Sequence, residues 1–230
     1  MQTERTSETK YRIAETAMAL FLEQGYESVT VEAVAVASQV SRRTVFRHFD
    51  GKDELAFPDH SQRLRLLQQN LDEGEHDDPV EVVIAATEDS LRDFLEHPGL
   101  VLRRYQLTRV EPELRKRELV EHERYVVRTR AYLREHMPAD GAPYLPMALA
   151  ALIDAMHRSA LGNFARSNGQ TDAMAELEAG MDWIRGLLHQ QSVDGVPGSL
   201  LLAVLPDSPQ VRRSLESLRD SAEQVLTPPD

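Results

Sequence analysis

The 230-residue chain contains no cysteine and only one tryptophan. Without thiols it can build neither a disulfide framework nor a thiolate metal site, and it has no sulfur nucleophile. Long apolar runs are also missing. No stretch approaches the roughly 20 apolar residues that span a bilayer, and the opening "MQTERTSETKYR" carries no apolar signal core. A soluble, cytoplasmic protein with no membrane contact is the expectation. Catalytic fingerprints are equally scarce. There is no G-x-S-x-G, H-E-x-x-H, phosphate loop or dinucleotide-binding glycine pattern, and the eight histidines form no ligand-spaced set. No enzyme chemistry, metal or cofactor is expected. Cations are the minority charge: 26 Lys and Arg stand against 38 Asp and Glu, for a formal net charge of −12. That balance argues against wrapping nucleic acid over a broad surface, but it permits a local basic face, because screened charges act over about 10 Å.

What is present is helical periodicity almost throughout, which predicts an all-α fold. Ile13, Ala14, Ala17, Leu20 and Phe21 recur at helical spacing between Lys10 and Gln24, and Gly25 stands where a left-handed cap is wanted. Thr30 is placed to N-cap a second helix, with Val29 stapled onto Val34. Ser41 stands in the same relation to a third, with Val40 stapled onto Val45. Two helices this short are not stable alone, so Val34, Ala35, Val40, Val45 and Phe49 must pack on the first helix. The expected unit is a three-helix domain containing a helix-turn-helix.

Charge gathers at this point. Between Ser41 and Lys52 the four cations Arg42, Arg43, Arg47 and Lys52 face a single anion, Asp50. Arg42 and Arg43 occupy the first turn of the third helix, where side chains can reach base edges in a major groove, and arginine bidentate to guanine discriminates by roughly 1–3 kcal/mol. The plainer reading, a solvated helix face, accounts for the charge but not for its coincidence with two capped short helices.

The order "IAETAMALFLEQGYESVTVEAVAVASQVSRRTVFRHFDGKDEL" resembles the amino-terminal DNA-binding domain of TetR-family regulators over about residues 10 to 57. The resemblance implies a homodimer on a double-stranded DNA operator, with Ser41, Arg42, Arg43 and Thr44 at the bases or backbone. Thr30, Phe46, Arg47, His48 and Lys52 would lie toward phosphates. His48 has a second reading, contact with the helix's own terminal carbonyls. Gln39 stands where the family usually has glycine, and Phe46 where it usually has tyrosine.

Lys52-Asp53-Glu54 reads as the opening of a fourth helix, with Pro58 left open between a kink and a break. Further helices are expected over Pro79–Glu96, from Pro98, from Pro112 to His136, Met147–Arg166 and Asp172–Gln190, with "MPADGAPYLP" as a loop. The expected domains are 1–57 for DNA binding, 58–190 as a larger helical ligand-binding and dimerisation domain, and 191–230 as a partly helical tail. "LRRYQLTRVEPELRKRELVEHERY" is similar to the second domain of mycofactocin-type regulators in the same family. By resemblance, a small hydrophobic or amphiphilic effector, for example an acyl-CoA-like one, would release a repressor from its operator. Candidate pocket residues are Phe94, Arg103, Arg104, Tyr105, Arg109, Met156, His157, Arg158, Asn163 and Phe164, with Trp183 as further apolar lining. Met174, Leu177, Met181, Ile184 and Leu188 form a stripe that suits a dimer interface and an intramolecular core equally. The competing reading is a helical scaffold that assembles proteins through this stripe without touching DNA.

Overall fold

The computed structural model describes residues 2–74, 78–138 and 142–193; the expected terminal helix in the tail lies outside these. All regular structure among the described residues is helical: α1 (Gln2–Gln24), α2 (Val31–Ala37), α3 (Arg42–His48), a 3-10 turn (Asp53–Ala56), α4 (His60–Asp72), α5 (Pro79–Leu95), α6 (Pro98–Val110), α7 (Pro112–His136), α8 (Leu145–Arg166) and α9 (Ala173–Val193).

The caps fall where the residue types put them. Gly25 has φ +82 and its amide donates to the Phe21 carbonyl at 3.0 Å, closing α1 in the left-handed conformation that glycine adopts without strain. Asp78 Oδ1 accepts from the Val80 amide at 2.8 Å, and Pro79 follows as the first residue of α5. Pro58 proves to be a break. The chain makes one 3-10 turn, leaves helical geometry at Phe57, and restarts as α4 at His60.

Ile13, Ala17, Met18 and Phe21 of α1, Val34 and Ala35 of α2, and Val45 and Phe49 of α3 with its cap form one buried cluster. The cluster does not stop at the expected domain boundary, since Leu100, Leu107 and Leu114 of α6 and α7 belong to it. Burying the side chains of α2 and α3 in this way supplies the stability that seven-residue helices lack by themselves. Polar ties reinforce the junction. Lys10 Nζ reaches Asp59 at 3.3 Å, Arg117 reaches Asp53 at 2.8 Å, and the Tyr26 amide donates to Glu111 at 3.2 Å.

Behind this head, α4, α5, α7 and α8 pack into a bundle. On α9, Leu177, Met181 and Ile184 are fully buried within the single chain. The stripe is therefore core at these three positions, because α9 lies close enough to α8 that a Cβ on Gly180 would meet Met156 Sδ at 2.9 Å. Met174 and Leu188 are half-buried, and Trp183 is half-exposed on the other side of the helix.

Candidate nucleic-acid interface and internal cavity

The turn between α2 and α3 is fixed by three backbone hydrogen bonds. The amides of Ser38, Gln39 and Val40 donate to the carbonyls of Val34, Val36 and Ala35 at 2.8, 3.0 and 2.9 Å. The last two form a Schellman pair, which requires a left-handed residue at Gln39, and its φ is +55. Ser41 then caps α3: its Oγ accepts from the Thr44 amide at 3.0 Å and lies 2.8 Å from Thr44 Oγ1. Thr30 caps α2 in the same way, accepting from the Ala33 amide at 3.1 Å.

With Val45 and Phe49 buried, the opposite side of α3 faces outward. Ser41, Arg42, Arg43, Phe46 and Arg47 are exposed and Thr44 is partly so. Arg42 is restrained by an ion pair with Glu32 of α2, Nε to Oε1 2.7 Å, and its guanidinium lies 5.2 Å from the Phe46 ring centre. Lys52 is also tethered, donating to the Glu27 carbonyl at 3.3 Å with its ammonium 4.3 Å from the Tyr26 ring. His48 is half-buried; burial, then Arg47 and Lys10, lowers its pKa, so it contributes no full positive charge at neutral pH.

A seven-residue capped helix presenting arginines on one face, behind a tight turn from a second short helix, has the geometry of a major-groove reader. Residues 13–57 match the family model of bacterial regulatory proteins, tetR family. The amino-terminal domain is that of the TetR family. Over 48 residues it is 50% identical to the HTH-type transcriptional regulator TcmR of Streptomyces glaucescens, covering 21% of this chain and 21% of that protein. A 68-residue match at 37% identity covers 30% of this chain and 34% of MftR of Mycobacterium tuberculosis, a protein named for transcriptional regulation of mycofactocin biosynthesis. The chain thus spans only a fifth to a third of the curated relatives it matches. A structure of a SmeT–triclosan complex aligns with a TM-score of 0.56 at 18% identity, over 86% of this chain and 100% of that one. SmeT is described as the repressor of the Stenotrophomonas maltophilia multidrug efflux pump SmeDEF. At that identity the likeness establishes the fold: a TetR-type head followed by a helical domain.

Beyond the matched residues, the helices from α4 to α8 enclose two neighbouring cavities that share His122. The inner one, about 40 Å³, lies among α4, α5, α7 and α8 and is lined by His60, Thr87, Phe94, Tyr125, Ile153 and His157 among others. The second, about 190 Å³, is lined by Arg104, Tyr105, Glu118, Arg158 and Arg166 among others. The ten pocket candidates therefore divide. Phe94 and His157 line the first cavity, and Arg104, Tyr105 and Arg158 line the second.

The other candidates line neither of these cavities, each for a visible reason. Arg103 faces Glu15 at 3.9 Å, Arg109 bonds the Tyr105 hydroxyl, and Asn163 Nδ2 donates to Glu176 at 2.6 Å. Met156 packs where α9 crosses at Gly180, and Phe164 packs against Gly169. Trp183 lines neither.

Phe94 is the hub of the inner region. The guanidinium carbons of Arg63 and Arg104 sit 3.8 and 4.9 Å from its ring centre, with His157 at 5.7 Å and His60 at 6.2 Å. Burial lowers the Arg104 pKa to about 10, the His122 pKa to about 4 and the His157 pKa to about 3, and holds His60 well below its usual value. These histidines are neutral at pH 7. The sequence reading missed His60, His122 and Tyr125. His122 and Tyr125 are three apart on α7 and so share a face, but nothing in their spacing distinguishes a cavity from a core.

Proposed function

We propose that this protein is a ligand-responsive transcriptional regulator that binds a palindromic operator as a homodimer and is released from it, as a repressor, by a small hydrophobic or amphiphilic effector. The observation that carries the reading is α3. It is short, doubly capped, held on α1 through Val45 and Phe49, and presents Arg43 and Arg47 outward with no ion-pair partner among the described residues. Arg43 reads a base edge, and Arg42 does so after exchanging Glu32 for DNA. Thr30, Ser41, Thr44, Phe46, Arg47, His48 and Lys52 lie around them as backbone-facing groups. On this reading residues 1–57 bind DNA and residues 58–190 bind the effector and dimerise, although the two share one buried cluster.

Release requires the effector to favour a state in which the two α3 helices no longer match half-sites about 34–36 Å apart. The cavity is well placed to do this. His60, in its wall, is the first residue of α4 and follows Asp59, which binds Lys10 of α1. A change at His60 therefore bears directly on the head. The scaffold alternative loses its main support, since Leu177, Met181 and Ile184 are occupied by the chain's own core. Dimerisation would then use the outer faces of α8 and α9, where Met147 and Trp183 are exposed.

A mobility-shift assay against the protein's own upstream region tests the reading. Sequence-dependent retention that falls steeply with salt is expected, and salt-insensitive absence of binding contradicts it.

A further inference from the structure

We infer that the cavity among α4, α5, α7 and α8 binds an uncharged ligand with a flat apolar body and hydroxyl or carbonyl groups, recognised by hydrogen bonds to the ring nitrogens of His60 and His157. The inference rests on the regulator reading for what binding accomplishes, though not for binding itself.

Three observations carry it. First, both imidazoles are more than nine-tenths buried and line the cavity, yet among the described residues both ring nitrogens of His60 and Nε2 of His157 have no hydrogen-bond partner. Glu121 is 3.9 Å from His60 Nδ1, too far for a hydrogen bond. Buried polar atoms of this kind are uncommon, and a ligand that pairs with them recovers what burial costs. Two of the neighbouring hydroxyls are already engaged, Thr87 donating to the Val83 carbonyl at 2.7 Å and Tyr125 to the His60 carbonyl at 3.4 Å, while Ser90 and Thr129 add further hydroxyls to the wall.

Second, among the described residues no lysine or arginine lines this cavity, and its one carboxylate, Asp154, is bound by Arg158 at 2.7 Å. The nearest guanidiniums, those of Arg63 and Arg104, lie against the Phe94 ring, so an anionic head group would be desolvated there with no cation in the cavity wall to pair with it directly. Because burial keeps His60 and His157 neutral, each offers one N–H and one lone pair, which suits a hydroxyl or carbonyl partner rather than a carboxylate or a phosphate.

Third, the space is narrow, a cavity of about 40 Å³. Phe94, His157 and the His60–Tyr125 ring pair bound it with aromatic faces, so a planar ring system fits better than a branched or heavily hydrated molecule.

Isothermal titration of the full chain with 2-naphthol, 2-naphthoate and decanoyl-CoA tests the inference. Saturable binding of 2-naphthol is expected, with 2-naphthoate and decanoyl-CoA at least about tenfold weaker. His157→Phe and His60→Phe should each weaken 2-naphthol by about tenfold, the loss of one well-made buried hydrogen bond. Absence of naphthol binding, tighter binding of either anion, or unchanged naphthol affinity in both variants overturns it. If either variant fails to fold by circular dichroism, the comparison of the three probes on the unmodified chain decides alone. A mobility shift on duplexes selected in vitro separates the two readings. Naphthol binding without DNA retention keeps the site and removes the regulator, and DNA retention without naphthol binding does the reverse.

Discussion

Arg42 Nε lies 2.7 Å from Oε1 of Glu32, so the first cation of α3 is held by an anion of the helix before it. Both side chains are more than half exposed, and such a pair contributes at most about 1 kcal/mol to stability. Its effect falls on binding, because DNA phosphates must displace or outcompete Glu32. Glu32→Ala should leave thermal stability nearly unchanged while strengthening non-specific DNA binding several-fold, measured by fluorescence anisotropy on random duplexes at fixed salt. Arg43→Ala should instead cost about 1–3 kcal/mol on the preferred operator and relax one base position.

Gln39 occupies a backbone conformation that costs a side-chain-bearing residue roughly 1–2 kcal/mol, and the Schellman hydrogen bonds of Val40 and Gln39 hold it there. Gln39→Gly removes that strain but adds unfolded-state freedom. A net gain of about 1 kcal/mol is expected, raising the melting temperature by about 2–4 °C in scanning calorimetry. A fall in melting temperature would mean that the Gln39 side chain makes a compensating contact.

The contrast between Gln39 and His122 shows what the sequence could and could not reveal. The head was legible because its signals are local. Thr30, Ser41 and Gly25 cap helices within a few residues of themselves, and Val40 with Val45 fixes a turn. The cavity was not legible, because His60, Phe94, His122 and His157 come from four helices and meet only through packing. The arginine candidates divided for the same reason: Arg104 and Arg158 line the second cavity and Arg103 and Arg109 do not. Arg103 and Arg109 share a sequence neighbourhood with Arg104, but only Arg104 turns inward onto Phe94. Pro58 lay between the two cases: its power to stop a helix was evident, but the restart at His60 depends on Asp59 and Arg63 finding partners in α1 and α5.

Stability should fall in mild acid before the carboxylates titrate. The buried His122 and His157 have folded pKa values of about 4 and about 3, below the ordinary 6.5 of the unfolded chain. Between these limits the unfolded state binds more protons, so the contribution is fully present above pH 6.5 and is lost as pH falls toward 4 and below. Urea denaturation at pH 7 and pH 5 should show a loss on the order of a few kcal/mol. His157→Phe should flatten that slope by nearly one proton.

Arg117 joins three carboxylates: Asp53 at 2.8 Å and Glu54 at 3.6 Å in the 3-10 turn, and the buried Glu121 at 3.0 Å on its own helix. Arg117→Met leaves Arg124 as the strong partner of Glu121 and unties the turn from α7. Because Arg117 is itself about a third exposed, a loss of about 1–2 kcal/mol is expected in chemical denaturation, below that of a fully buried pair.

Selection of bound duplexes from a random pool, followed by mobility shifts of the winners across a salt series, tests most directly whether α3 is a paired DNA reader. Enriched inverted repeats with half-site centres about one helical turn apart, affinity falling steeply with salt, and one base position relaxed by Arg43→Ala are the predicted result. No enrichment, or an enriched motif indifferent to Arg43, would contradict it.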